Sequence, residues 1–437
     1  MRPAPRPVPG AAPQPAEVQV ARIGADGDGI AALPDGTFLF VAGTLPGETV
    51  LARPVNRRGD GWAACAEALI TASPERIEPP CPHFGTCGGC TLQHWQDAPY
   101  RAWKAGLLEA ALRRAGFAAD IAKLVATPPG ARRRMDFSLR RQGSSVLVGL
   151  HAGRASEVVD LAACPVLSPD LLALLAPLRV VLRSLALLRR EGSAVVNLLE
   201  NGADLLLRTD SEPNTADCTL LAAFAQAHGL CRISWARGDG VPETLCLLRP
   251  PVTVLSGVPV RPPPGAFLQA NREGEAAIVA AVLAGLPEKQ PARARVAELY
   301  AGCGTLSFAL AARVRVTAYE GDADLVAALR AATNAQGLAG RITVEQRDLT
   351  RRPVTATELA GCAAVVLDPP YGGAAAQMAQ LAAARPKRVV YVSCNPAALA
   401  RDAAVLRGAG YMIAAAVPID QFLWSARLES VVVFSAE

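Results

Sequence analysis

Residues able to do covalent and proton chemistry stand at the ends of apolar runs in the last third of the chain. Cys394 follows the β-branched run from Val389 to Val392 within Ser393-Cys394-Asn395-Pro396. Asparagine before proline predicts a helix N-cap with proline at the first helical position, where a missing N–H costs nothing. Cys394 is therefore expected at a strand-to-helix corner, beside orphan amides and the positive end of a helix dipole, both of which favour a nucleophilic thiolate. A buried, inert thiol is the competing reading. Glu429 stands before the final β-run, which ends at Phe434. It is either a solvent-facing edge charge or, with Cys394 on a neighbouring corner, a carboxylate converging on the same substrate. Asp368-Pro369-Pro370 closes another apolar run.

A second constellation is Cys81, Cys87 and Cys90, with Gly88-Gly89 permitting a tight wrap. Cysteines at this spacing suit a loop folded round a soft metal centre, and Cys164, followed by Pro165, is the best fourth ligand. Zinc is the rival occupant, but zinc sites usually show two Cys-x-x-Cys pairs or added histidines, so the three-plus-one set fits a [4Fe-4S] cluster better. Three unrelated buried cysteines remain the alternative. His83 and His94 flank the loop and are expected to be structural.

The elements that must position these groups follow from composition and periodicity. At 437 residues and 51% hydrophobic content, the chain is long enough for two to three domains. The net charge is +5, yet 40 of the 44 basic residues are Arg, so a polyanionic partner is permitted without being required. The 11 irregularly spaced cysteines, the lack of a signal-like stretch and the lack of an 18-residue uncharged run lead to the expectation of a cytoplasmic protein with no membrane segment. The apolar stretch from Leu171 to Leu188 is broken by Pro177, Arg179 and Arg183 and reads as an amphipathic helix pair.

In order, residues 1–16 form a Pro/Ala tail expected to be disordered. Short β-runs punctuated by glycine across 17–74 predict a small OB-like barrel, with Arg53, Arg57 and Arg58 as either a solvated hairpin or a nucleic-acid platform. A central mixed α+β domain, 75–262, carries the cysteine loop, and its helix over 99–118 is a candidate to pack on the catalytic domain. Arg132 to Arg141 interleaves five arginines with Phe137, giving either a phosphate-contacting edge or a solvated strand face. Strands alternating with helices over 263–437 imply an α/β fold with a doubly wound, Rossmann-like sheet that binds its ligand at the carboxyl ends of the strands. The turn Ala301-Gly302-Cys303-Gly304-Thr305 lets a cofactor lie against backbone, and Glu320 is placed to accept ribose hydroxyls. The third glycine of the dinucleotide fingerprint is missing, which favours S-adenosylmethionine over NAD.

Taken together, the glycine-rich barrel, the cysteine loop with Cys164, Phe267-Leu268-Gln269-Ala270-Asn271, Leu299-Tyr300-Ala301-Gly302-Cys303-Gly304, Asp368-Pro369-Pro370, Ser393-Cys394-Asn395-Pro396 and Leu428-Glu429 resemble the RNA 5-methyluridine (uracil-C5) methyltransferase family. The likeness is to its iron–sulfur branch with an N-terminal TRAM barrel, and it runs from about residue 17 to the end. The resemblance implies that Gln269, Tyr300, Thr305, Glu320, Asp348 and Asp368 line the S-adenosylmethionine and target-base sites. It implies Cys394 as nucleophile, Glu429 as base, 23S ribosomal RNA as partner, and a cluster with a structural or RNA-shape role. A monomer without an obligate protein partner is the default. Uracil C5 is a poor nucleophile, so a thiolate must first add at C6, and a base must later remove the C5 proton. Asp368 would hold the flipped base by its Watson–Crick edge.

Two departures stand out. Tyr371 occupies the position where the family usually has arginine. Phe422-Leu423-Trp424-Ser425-Ala426-Arg427-Leu428-Glu429 has Leu423 for a proline and Arg427 for a histidine. Asp368-Pro369-Pro370-Tyr371 also resembles the amine-holding motif of N-methyltransferases, the runner-up activity. A catalytically silent RNA-binding protein is the alternative from another class.

Overall fold

A computed structural model describes residues 13–288 and 294–436, so most of the expected tail, 1–12, lies outside the described residues. The chain divides into two compact units, one ending at Trp103 and including Trp424–Ala426, the other comprising Lys104–Leu423 and Arg427–Glu437.

The first unit is a six-stranded sheet in the order Ala16–Gln19, Thr49–Arg58, Gly61–Thr71, Phe38–Val41, Gly29–Ala32, Arg22–Ile23. Its alternating burial gathers Val18, Leu39, Val41, Val50, Ala52 and Trp62 in one core. Val20 N donates to Glu48 O at 2.8 Å and Ala21 N to Ile30 O at 2.9 Å, so the chain after the first strand ties the two ends of the sheet together. The hairpin arginines are mostly spent inside the unit. Arg53 pairs with Glu67 at 2.5 Å, and Arg58 bridges Asp26 and Asp28, each at 2.5 Å.

In the second unit a seven-stranded sheet runs Val158–Asp160, Ser145–His151, Arg134–Gln142, Glu191–Leu199, Gly202–Thr209, Arg232–Arg237, Glu243–Leu247. The arginine-rich strand is central, not an edge, and its Phe137 is fully buried. Arg141 donates to the carbonyls of Leu182 and Leu185, both at 2.9 Å, and of Leu188 at 2.7 Å, satisfying the end of helix Leu175–Ser184. The phosphate-edge reading of Phe137 and Arg141 is therefore overturned: alternation marks a strand without saying whether neighbours cover both of its edges. The segment from Leu171 to Leu188 does form two helices, Pro169–Ala173 and Leu175–Ser184.

The same unit contains the α/β sheet. Its eight strands run Ile342–Gln346, Arg315–Glu320, Arg295–Leu299, Ala364–Leu367, Arg388–Ser393, Glu429–Ala436, Tyr411–Asp420, Val125–Ala126. The first five are mutually parallel, and Glu429–Ala436 is antiparallel to both of its neighbours. Apolar cores cover both faces, one around Ile278, Val296, Leu310 and Val390, the other around Leu299, Val365, Leu381 and Tyr391. Arg295–Leu299 and Ala364–Leu367 adjoin where the strand order reverses, the switch point at which such sheets open a crevice at their carboxyl ends. Among the described residues no helix is long and apolar enough to cross a membrane.

Candidate active site

Strand Arg388–Ser393 delivers Cys394 to the carboxyl rim, and Pro396 opens the helix Pro396–Gly408 with Asn395 as its N-cap. Asn395 Oδ1 accepts from Ala397 N at 3.0 Å and from Ala398 N at 3.4 Å. The amides expected to favour a thiolate are thus taken by the cap. Burial, with Glu429 and Asp368 next, pushes the half-buried Cys394 thiol up to about 11, against the smaller pull of its own amide and Arg427. Burial thus opposes the thiolate that the helix corner was expected to favour.

Glu429 arrives from the opposite direction. Ser393 pairs with Ser430 in the antiparallel ladder, and Ser430 Oγ donates to Ser393 O at 3.2 Å. Continuing that register by one step sets Cys394 against Glu429. Glu429 is 4% exposed, and its Oε1 has no hydrogen-bond partner among the described residues. Burial first, and Asp368 second, hold its pKa well above the usual carboxylate range. The edge-charge reading therefore does not describe it.

A chain of amides joins this acid to Asp368. Gln421 Nε2 donates to Glu429 Oε2 at 2.6 Å and to Gln269 Oε1 at 3.0 Å, and Gln269 Nε2 approaches Asp368 Oδ2 at 3.4 Å. Burial raises Asp368 to about 7. Asn271, N-cap of helix Arg272–Gly285, fixes the segment by donating to Gln421 O at 3.3 Å. Both ends of the loop between Asp420 and Glu429 meet Lys104. Its buried ammonium donates to Asp420 Oδ1 at 2.8 Å and Phe422 O at 3.2 Å, and also to Arg427 O.

The glycine turn lies at the switch point. Tyr300 has φ +64°, a strained conformation for a bulky residue, and Gly302 and Gly304 follow at +56° and +103°. A side chain at Gly304 would meet Leu329 and Phe308, whereas a Cβ on Gly302 would meet nothing within 4 Å. Glu320 Oε2 accepts from Gly302 N at 2.8 Å, and its Oε1 from Gly321 N at 2.7 Å and Asp322 N at 2.9 Å. Thr305 begins the helix Thr305–Ala311, and Asp348 follows strand Ile342–Gln346 and accepts from Thr350 N at 3.0 Å.

The tRNA (uracil-5-)-methyltransferase family model matches residues 261–437. An RNA methyltransferase of Brucella suis is 42% identical over 96% of this chain and 97% of its own. A 23S rRNA (uracil(1939)-C(5))-methyltransferase of Pectobacterium atrosepticum is 35% identical over 95% of this chain and 93% of its own. The chain belongs to the RNA (uracil-5-)-methyltransferase family. In fold it is similar to the Pyrococcus abyssi tRNA (uracil-54, C5)-methyltransferase solved with S-adenosyl-L-homocysteine, at a TM-score of 0.71 and 21% identity, covering 96% of this chain and all of that one.

S-adenosylmethionine is the methyl donor of this methyltransferase family, and the switch point suits it. Gly302 leaves its backbone open, so a bound group can lie against the turn. Sequence reasoning missed Glu298 and Gln421 in this methyltransferase. Glu298 is buried at mid-strand, raised to about 8 by burial first, while Ser307 Oγ donates to its Oε2 at 2.5 Å. An acid inside the apolar run from Val296 to Leu299 was the available signal.

The cysteine loop is tightly wound. Phe84 N donates to Cys81 O at 3.1 Å, Cys87 N to His83 O at 2.8 Å, and Gly89 N to Cys87 Sγ at 3.4 Å. An amide aimed at sulfur suits a thiolate ligand at Cys87. Among the described residues, however, no group of three or more His, Cys, Asp or Glu side chains is gathered to hold a metal. His94 is buried against the Phe84 ring at 5.1 Å. Cys164 lies in the loop after strand Val158–Asp160.

Proposed function

We propose that the enzyme methylates C5 of a uridine in structured RNA through a covalent bond between Cys394 and C6. The observation that carries this reading is the Ser393–Ser430 register, which aligns the thiol with Glu429, together with the amide chain from Glu429 through Gln421 and Gln269 to Asp368. The Cys394 sulfur, once deprotonated, adds at C6, and the ring electrons move onto C5 and O4. S-adenosylmethionine supplies the electrophilic methyl group. Glu429, in its ionised form, then takes the C5 proton on Oε1, the C5–H electrons re-form the C5=C6 bond, and the C6–S bond breaks to release the thiolate. Asp368 and Gln269 hold the flipped base, Tyr300, Thr305 and Asp348 line the cofactor crevice, and Glu320 orients the ribose.

The Pectobacterium relative's substrate supports 23S ribosomal RNA as the target. An N-methyltransferase reading needs neither Cys394 nor Glu429 and so leaves their shared rim unexplained. RNA carrying 5-fluorouridine should trap the enzyme as an SDS-resistant adduct that Cys394→Ala cannot form. An adduct persisting in that variant would move the nucleophile elsewhere. A chain that binds RNA without transferring methyl groups would instead be a silent binding protein.

From the cysteine spacing we further infer that Cys81, Cys87 and Cys90 help to hold a [4Fe-4S] cluster, with no part in the reaction because no step moves an electron. Anaerobically purified protein should then contain several iron atoms and absorb broadly near ~400 nm. One zinc and no iron would remove the cluster.

A further inference from the structure

The two departures from the family pattern touch each other. The Arg427 guanidinium lies 5.1 Å from the centroid of the Tyr371 ring, and Tyr371 is still 57% exposed. The turn that presents this ring is tethered three times. Asn395 Nδ2 donates to Tyr371 O at 2.9 Å, Arg401 Nη2 to Gly372 O at 2.6 Å, and Ala374 N to Asp402 Oδ2 at 2.6 Å. Tyr391 OH, from the strand that carries Cys394, donates to the same Asp402 oxygen at 2.7 Å. Gly373 has φ +81°, and a Cβ there would sit 2.6 Å from both Arg401 Nη2 and Asp402 Oδ2, so the tethered turn needs glycine at this position.

A large exposed aromatic on a rigid turn beside a candidate nucleophile is preorganised for a flat partner. An arginine charge over one face of a ring adds a cation–π attraction and leaves the opposite face open to a flat partner. The Arg427 charge also lies near enough to act on Cys394, which places the pair at the site.

We propose that Tyr371 and Arg427 form a clamp for the nucleotide flanking the methylated uridine, Tyr371 stacking its open face on the unpaired neighbouring base and Arg427 contacting the intervening phosphate. This rests on the uridine-methylation reading for the position of the target. The recognised group is any base with a π-face, so the clamp selects for an unpaired flank rather than for a sequence.

The test is equilibrium binding of full-length protein to RNA hairpins with a loop uridine whose 5′ or 3′ neighbour is either adenosine or abasic. Wild type and Tyr371→Phe should lose about tenfold or more in affinity when one of the two neighbours is removed, and Tyr371→Ala should bind all the hairpins alike at the weaker level. Arg427→Gln should flatten the slope of log affinity against log salt by about 0.7–0.9. Indifference of wild type to both abasic probes, or wild-type affinity in Tyr371→Ala, overturns the clamp, as does an unchanged salt slope in Arg427→Gln. Binding requires no methyl transfer, so a failed clamp with an intact fluorouridine adduct leaves the methylation reading standing. The reverse result would sink that reading alone.

Discussion

Gln421 donates one amide hydrogen to Glu429 Oε2 at 2.6 Å and the other to Gln269 Oε1 at 3.0 Å, so a single planar group ties the acid to Gln269. Both hydrogens are committed, and Glu429 Oε1 is buried without a hydrogen-bond partner among the described residues.

Gln421→Leu should therefore damage the late step more than the early one. Loss of the donor raises the Glu429 pKa further, since that hydrogen bond is what pulls it down. Turnover is expected to fall by about 10- to 100-fold, within the usual worth of a positioned base. Unmodified-uridine RNA should accumulate as a denaturant-stable adduct, visible on SDS gels. Equal slowing of adduct formation and release would show that Gln421 only holds the fold.

The Cys394 thiol, at about 11, must ionise before it attacks. The rate of adduct formation with fluorouridine RNA should rise about tenfold per pH unit from pH 7 to 9, the slope of a single deprotonation below its pKa. A rate independent of pH over that window would mean that the bound RNA, or a neighbouring carboxylate taking the proton directly, removes the barrier.

Glu298 gives a stability test. Its folded pKa, about 8, lies above the value of ~4.3 for an unfolded glutamate, so the folded chain binds the proton more tightly. Below pH ~4 both states hold the proton and the stability contribution is intact. As pH rises from there to about 8 the unfolded chain loses a proton that the folded chain keeps, and stability is lost. Glu298→Gln should match wild type in urea unfolding at pH 4 and exceed it at pH 8. A difference independent of pH would show that the carboxyl is ionised in the folded state.

Lys104→Met should cost about 3–5 kcal/mol, because it strands the buried Asp420 carboxylate. Pairing it with Asp420→Leu should recover much of that loss. A urea titration of the two single variants and the double variant measures the coupling, and strict additivity would mean the pair is not energetically linked.

How much of this was legible depended on sequence distance. The glycine turn at 302–304, the acids at strand ends and the Asn395-Pro396 cap are local patterns, and each appeared where expected. Lys104 meets Asp420 across 316 positions, and Gln421 meets Gln269 across 152, and no periodicity encodes such pairings. The pressure on the Cys394 thiol was not legible because burial, Glu429 and Asp368 act on it through the tertiary fold, and the Asn395 side chain takes the nearby amides. Phe137 was misjudged because a strand's pattern does not report who lies on either side of it.

The reversal of one strand has a consequence for reach. Arg388–Ser393 ends at the rim where Glu429–Ala436 begins, because the two run in opposite senses. Had the last strand run alongside its neighbour, its first residue would lie at the far rim, about 20 Å away over six residues at ~3.3 Å each. No side chain spans that gap, so the Cys394 sulfur and the Glu429 carboxyl share one rim only because the sheet turns back on itself at its end.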